Sequence, residues 1–301
     1  MIFLFDVLTA TLRNATPLVF GVVGETYAEK AGILNLGIEG TMYAGAFFGF
    51  AAAAVTGSLE LGILAAIIVG VASGAIMGLF SVTLGTSQHV AGIGLTLGLI
   101  GISEFINRLY FGSSQGLRRI ESYRLLEPFG PDNVFSQYAL TYVAFLVVAP
   151  LGWWVLRSTS FGLGTRAVGE NPEAADAAGL SVSFYRYMAL MIGSALAAVG
   201  GAFITLATLG TFTLGIIAGR GWVVIALVIF GRWRIWRGVV GALVFAGVFS
   251  LQLRLRILPG WDTVPFELLL AMPYLVVVAA LAISGRNVEY PGAYLKPYRR
   301  D

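Results

Sequence analysis

Residues 169–180, Gly-Glu-Asn-Pro-Glu-Ala-Ala-Asp-Ala-Ala-Gly-Leu, combine several helix signals in one polar loop. Asn171 is a favoured N-cap, and Pro172 suits the first helical position, where its missing N–H is harmless. Glu173 adds negative charge to the first turn, and Gly179 supplies a left-handed stop. The predicted helix spans about two turns, roughly 10 Å, with Ala174, Ala175 and Ala178 on its small-residue face; Gly169, Glu170 and Leu180 flank it. A helix this short is marginal in water. It rests either on its own protein or in a groove of a partner.

A second group lies at the edge of an apolar run. Asn35 and Glu39 are spaced i, i+4 and share a face if the stretch is helical. A carboxylate beside an apolar segment is costly unless it meets protein, water or a partner. Glu39 therefore either bonds a broken helix or helix N-terminus, or lines a transport path with Tyr43 and Phe47. A third group, His89, Thr96, Glu104 and Asn107, follows in a later apolar run. Glu104 and Asn107 either line a wet cavity or bond Arg108 and the adjoining loop. His89 is the only histidine, and there is no cysteine, so a metal site is not expected. Ser73 with His89 makes a poor nucleophile and base, because no G-x-S-G setting surrounds the serine. Lys30 precedes Ala31 and Lys296 precedes Pro297, so neither completes a phosphate-binding loop. No catalytic residue and no cofactor are expected in this chain.

The elements that position these residues are membrane spans. Of 301 residues, 57% are hydrophobic and 12% charged, and mean hydropathy is +0.84, whereas a soluble domain carries about a quarter charged residues. Apolar runs place nine spans near 2–24, 34–56, 61–82, 89–110, 137–156, 187–208, 217–231, 238–253 and 265–284, give or take one. The seventh and eighth are short for a perpendicular crossing. The glycine-punctuated run from Asn35 to Thr41 fits a broken or re-entrant start to the second. The first run reads as a retained span, since it lacks a basic leader and contains Arg13, Asn14 and Pro17. Gly70, Gly74 and Gly78 form a small-residue stripe for close helix packing.

The expected organisation is one transmembrane domain over 1–301. It has an outer loop 111–136, ordered but irregular, a cytoplasmic loop 157–186 and a cytoplasmic tail 285–301. The basic residues favour this orientation, eleven inside against seven outside, with the N-terminus outside and the C-terminus inside. The net charge of +3 fits that loop bias, and nucleic acid is not expected as a partner.

Three stretches resemble one family. Glu29 to Phe47, E-K-A-G-I-L-N-L-G-I-E-G-T-M-Y-A-G-A-F, is similar to the E-R-S-G-x-x-N-I-G-x-E-G-x-M signature of nucleoside and simple-sugar permeases of ABC importers. Lys30, Ala31 and Thr41 depart from it; the asparagine, glutamate and glycines do not. Ala167 to Leu180 resembles that family's ATPase-coupling loop. Gly219-Arg220-Gly221-Trp222 and Pro291 to Arg300 resemble the same branch. The resemblance implies an all-α, cobalamin-importer-like (type II) permease in a bacterial plasma membrane, with residues 169–175 and 178–180 as its coupling element. It further implies a longer homologous permease as heterodimer partner, two cytoplasmic ATPases that bind ATP and Mg, and an extracytoplasmic substrate-binding lipoprotein. The small-molecule substrate is expected to be a nucleoside, with ribose-like sugars or branched-chain amino acids as alternatives. A stand-alone secondary transporter is a further alternative, weakened by how few groups could couple an ion.

Overall fold

The computed structural model describes residues 2–112, 119–130, 133–255, 265–284 and 289–298. The parts of the expected outer loop at 113–118 and 131–132, and of the expected cytoplasmic tail at 285–288 and 299–301, lie outside them. Among the described residues, seven helical segments are long and apolar enough to cross a membrane, and two apolar helices are shorter. α1 (Ile2–Lys30) is followed by α2 (Ile38–Thr56) and α3 (Leu59–Gly78), which continues through a π-turn, Leu79–Thr83. α4 is Gln88–Phe111. The next span joins α5 (Ala139–Tyr142) to α6 (Ala149–Ser158) through a second π-turn. α7 (Ser160–Glu170) and α8 (Pro172–Ala177) precede α9 (Val182–Phe203), and α10 (Arg220–Phe230), α11 (Ile235–Leu255) and α12 (Phe266–Ser284) follow.

Several expected boundaries move. α1 runs on through Glu25 to Lys30, so most of the expected loop 25–33 is helix. The eighth expected span is not short: α11 has 21 residues. The short apolar helices are α10 and the stretch Glu267–Ala280 within α12. The loop 157–186 is largely helical, because Thr159 caps a second helix, α7, by accepting the Gly162 N–H at 3.1 Å. A small exception to the all-helical expectation is one antiparallel pair, β1 (Leu125–Leu126) with β2 (Gln137–Tyr138), at the edge of the outer loop.

The bundle is built around α9, which packs on α1, α2 and α3. Without a hydrophobic force between helices in lipid, this packing depends on close backbone approach. A Cβ on Gly193 would sit 2.5 Å from the Gly24 carbonyl oxygen on α1. The stripe on α3 works the same way against α9: added Cβ atoms at Gly70, Gly74 and Gly78 would strike Ser194, Leu190 and Tyr187. Ser73, inside this stripe, donates to the Val69 carbonyl at 2.7 Å.

Gly193→Val is expected to lower the stability of the purified chain by about 1–3 kcal/mol or more through overpacking, read as an earlier thermal unfolding midpoint. Gly94→Ala, where a Cβ meets nothing within 4 Å, serves as the control and should not lower it. Equal midpoints for Gly193→Val and the wild type would refute the close-packing account.

Candidate functional site

Between Lys30 and Ile38 the chain leaves the helix, in a region where Ile33, Leu34 and Asn35 are buried. Backbone groups freed there cannot turn to water and need protein partners. Side chains supply them. Glu25 Oε1 accepts the Asn35 N–H at 2.9 Å, and Gln88 Oε1 accepts the Leu34 N–H at 2.9 Å. Asn35 Oδ1 accepts the Gly37 N–H at 3.1 Å, while its amide donates to Ser194 Oγ at 3.2 Å. Thr96 Oγ1 donates to the Leu36 carbonyl at 3.0 Å.

A second break lies opposite. Residues 210–219 are irregular, with Phe212, Ile216 and Ile217 buried, and α10 then begins at Arg220. At 11 residues, α10 is about 16 Å long, roughly half of a 30 Å hydrocarbon core. Its N-terminus meets the N-terminus of α2, and Glu39 joins them. Glu39 Oε1 accepts the Gly219 N–H at 2.9 Å and Oε2 accepts the Gly221 N–H at 2.7 Å. A Cβ on Gly221 would lie 2.5 Å from Glu39 Cα, so only glycine allows this approach. The carboxylate stands in the first turn of α2 and at the start of α10, where both helix dipoles favour negative charge.

One turn further along α2, the Tyr43 hydroxyl donates to Glu104 Oε1 at 3.1 Å and accepts the Gly215 N–H at 3.4 Å. Phe47 is fully buried against Phe48, Phe111 and Phe212, with centroids 5.0, 6.4 and 5.2 Å away. Asn35, Glu39, Tyr43, Phe47, Thr96 and Glu104 thus come together at the interface of α2 with α4 and the 210–219 segment. His89 and Asn107 do not join them. His89 is exposed at the start of α4, and Asn107 is half-buried without a side-chain partner among the described residues. Asn35 lies before α2, so it reaches the group through the break and not through an i, i+4 helical face. Glu104 bonds Tyr43 rather than Arg108. Gln88 and Ser194 have no role assigned from the sequence: Gln88 is one of several polar residues, Thr86 to His89, at the start of α4, and Ser194 is a lone hydroxyl in an apolar run.

The second cluster surrounds the short helix. Asn171 Oδ1 accepts the Ala174 N–H at 3.0 Å, and Gly179 has φ +86°. The helix ends at Ala177, with Ala178 as its cap. Glu173, Ala174, Ala178 and Gly179 are exposed, whereas Ala175 is buried against Val168 and Val182. Of the three alanines, Ala175 alone anchors the helix, because the neighbouring valines close over its small side chain.

The C-terminal stretch 289–298 holds the same helix from the other side. The Gly292 N–H donates to Glu170 Oε2 at 3.1 Å, and the Ala293 N–H to the Gly169 carbonyl at 2.9 Å. Tyr298 donates to Asp176 Oδ2 at 3.1 Å, and the Leu295 N–H to the Gly32 carbonyl at 3.2 Å. Arg186, fully buried, donates to the carbonyls of Ala31 at 3.3 Å and Lys296 at 3.4 Å. A cation beside the last carbonyls of α1 is favoured by that helix's dipole. Trp233 Nε1 donates to Glu29 Oε2 at 2.6 Å, and its ring packs on Tyr290 and Tyr294. Burial and the Glu29 carboxyl push the Tyr294 phenol well above its ordinary value, so it stays protonated. The tail links α1, α7, α8, α9 and the α10–α11 turn.

A family model, the permease component of the branched-chain amino acid transport system, matches residues 7–282. The chain belongs to this permease family. Among its relatives is a Haloferax volcanii protein named "Putative glucose ABC transporter permease protein TsgC13", 34% identical over 100% of this chain and 99% of its own length. The nucleoside ABC transporter permease protein NupC of Lactococcus lactis is 32% identical, covering 90% of each chain. The guanosine ABC transporter permease protein NupQ of Bacillus subtilis is 29% identical over 97% of this chain and 96% of its own. A solved structure, "An inward-facing conformation of a putative metal-chelate type ABC transporter", superposes with a TM-score of 0.51 over 93% of this chain and 86% of that one. At 17% identity, that likeness establishes the shared permease fold.

Glu39→Ala would leave the buried Gly221 N–H of this permease unpaired, at about 1–3 kcal/mol, and free the half-buried Gly219 N–H as well. Its thermal unfolding midpoint should fall, and Glu39→Gln, which keeps one acceptor oxygen, should fall less. An unchanged midpoint for Glu39→Ala would remove Glu39 from the junction.

Proposed function

We propose that this chain is the permease subunit of an ATP-driven importer that moves nucleosides inward by alternating access. The observation that carries the substrate class is similarity over 90% or more of the chain to two proteins named as nucleoside and guanosine permeases. The relative named for glucose, 34% identical, favours a second reading in which the substrate is a simple sugar. Either way the chain makes and breaks no bond. In this reading ATP and Mg bind partner ATPases, a binding lipoprotein delivers the substrate, and a longer homologous permease completes a heterodimer.

The fold in this reading is of the type II class, with the seven long apolar segments and the two short helices, α10 and α12, making nine crossings. The end of the bundle carrying α8 and the tail faces the cytoplasm, which puts the N-terminus outside. The short helix is the coupling element. Its exposed face, Glu173, Ala174 and Ala178, meets the ATPase, while Ala175, Asp176 and Glu170 fasten it to the permease. ATP binding then moves the docked helix as a rigid unit. The tail bonds at Gly169, Glu170 and Asp176 carry that displacement to α1 through Gly32 and Glu29, and to the α10–α11 turn through Trp233. Since α10 runs from that turn back to its start at Glu39, the same movement reaches the junction of the two broken helices, beside Asn35, Tyr43, Phe47, Thr96 and Glu104.

Uptake of labelled guanosine and labelled glucose by cells expressing the complete transporter separates the two substrate readings. Guanosine uptake that requires the ATPase subunits is expected; glucose uptake alone would favour the sugar reading, and uptake without any ATPase would overturn both. Glu173→Trp and Gly179→Trp are expected to leave the permease in the membrane and the ATPase turning over while transport is lost. Undiminished uptake in both variants would refute the coupling role.

A further inference from the structure

A cavity of about 670 Å³ opens beside the short-helix end of the bundle, between the end of α1, α6, α7 and the start of α11. Its lining holds five cations, Lys30, Arg157, Arg166, Arg234 and Arg237, and no carboxylate. Among the described residues none of the five has a carboxylate within ion-pair distance; Glu170 and Glu289 stand farther off, across a neighbouring cavity that Lys30, Arg234 and Arg237 also line. Five like charges around one hollow repel one another, and this arrangement is stabilised by an anion placed among them. The indoles of Trp153 and Trp236 share the wall, with the Arg157 guanidinium 5.2 Å from the Trp153 ring centroid. Both indoles are partly exposed, as amphipathic rings are at the headgroup level of a bilayer.

The chemistry changes within one helical turn. A second cavity of about 490 Å³ shares Trp236 and Arg237 with the first but is otherwise walled by Phe230, Arg232 and Val240. Beyond it the outer face of α11 is apolar and exposed at Val240 and Val244, as α6 is at Leu151 and Trp154. A free phosphate or an acidic peptide would use the basic hollow and leave the apolar trough empty. A molecule with an anionic head and a hydrocarbon chain fills both.

We infer that the two neighbouring cavities, which meet at Trp236 and Arg237, form a binding site for an anionic phospholipid, its phosphate among Lys30, Arg157, Arg234 and Arg237 and an acyl chain along Phe230 and Val240. Basic pockets between span ends bind such headgroups through the same combination of charge and interfacial aromatics. This inference does not rest on the substrate or coupling readings. Among the described residues, Arg157 and Arg166 donate to no group of the short helix or of 289–298; Arg166 bonds the Gly162 and Arg157 carbonyls.

The test uses the full chain purified in maltoside detergent, titrated separately with dioleoylphosphatidylglycerol, dioleoylphosphatidylcholine, glycerol 3-phosphate and inorganic phosphate. Tryptophan fluorescence and native mass spectrometry are the readouts. Phosphatidylglycerol is expected to bind at least about tenfold more tightly than phosphatidylcholine, and the two water-soluble phosphates much more weakly. The triple variant Arg157→Gln, Arg234→Gln, Arg237→Gln should lose on the order of a hundredfold in phosphatidylglycerol affinity. Arg108→Gln with Arg124→Gln, at the other end of the bundle, should lose none. The single variants Arg157→Gln and Arg237→Gln, both at exposed side chains, should show part of the loss and carry the comparison if the triple variant does not fold. Equal binding of the two lipids, unchanged affinity in the variants, or inorganic phosphate binding as tightly as phosphatidylglycerol would each overturn the site.

Discussion

A backbone that leaves the helix inside a membrane bundle must find partners for its own N–H and C=O groups. Among the described residues this permease does so at 31–37 and at 210–219, and one group of its interior polar side chains is placed by those two breaks. Glu25, Gln88, Asn35 and Thr96 serve the first; Glu39 and Tyr43 serve the second. Glu39 holds the greatest leverage, since its two oxygens tie the start of α10 to the start of α2. Two helix N-termini facing each other would repel, and one carboxylate between them turns that repulsion into attraction.

The same constraint explains why so many glycines surround α9. Interior helices cannot gain from hydrophobic burial in lipid, so they gain from contact. The mutual approach of Gly24 and Gly193 and the stripe on α3 give α9 a tight seat against α1 and α3. Outside that core the short helix and the C-terminal stretch are joined by hydrogen bonds at Glu170, Gly169 and Asp176, and the stretch is tied to α1 and the Trp233 turn.

Much of the site was legible from the chain because its signals are local. Asn171, Pro172 and Gly179 encode the start and end of α8 through caps and a left-handed φ, and the structure places that helix within one residue of the expected range. Span positions were legible from apolar run lengths, though their ends moved where polar residues, such as Glu25 and Glu29, sit inside helix. α7 was missed because Ser160–Glu170 has three glycines and no apolar run. Gln88 and Ser194 were missed because nothing local distinguishes a polar side chain that serves a distant backbone group from one that does not.

The sequence by itself determined that the chain is a membrane protein, roughly where its long apolar helices run, and which motifs tie it to its permease family. Those conclusions depend on composition, periodicity and spacing, which are properties of neighbours along the chain. Only the tertiary structure decided what Glu39, Asn35 and Tyr43 bond, that the stretch 289–298 is packed against α1 and α8, and that five cations far apart in sequence surround one hollow. These are pairings between segments up to some 200 residues apart, such as Glu29 with Trp233, and their energy depends on distance and burial in three dimensions.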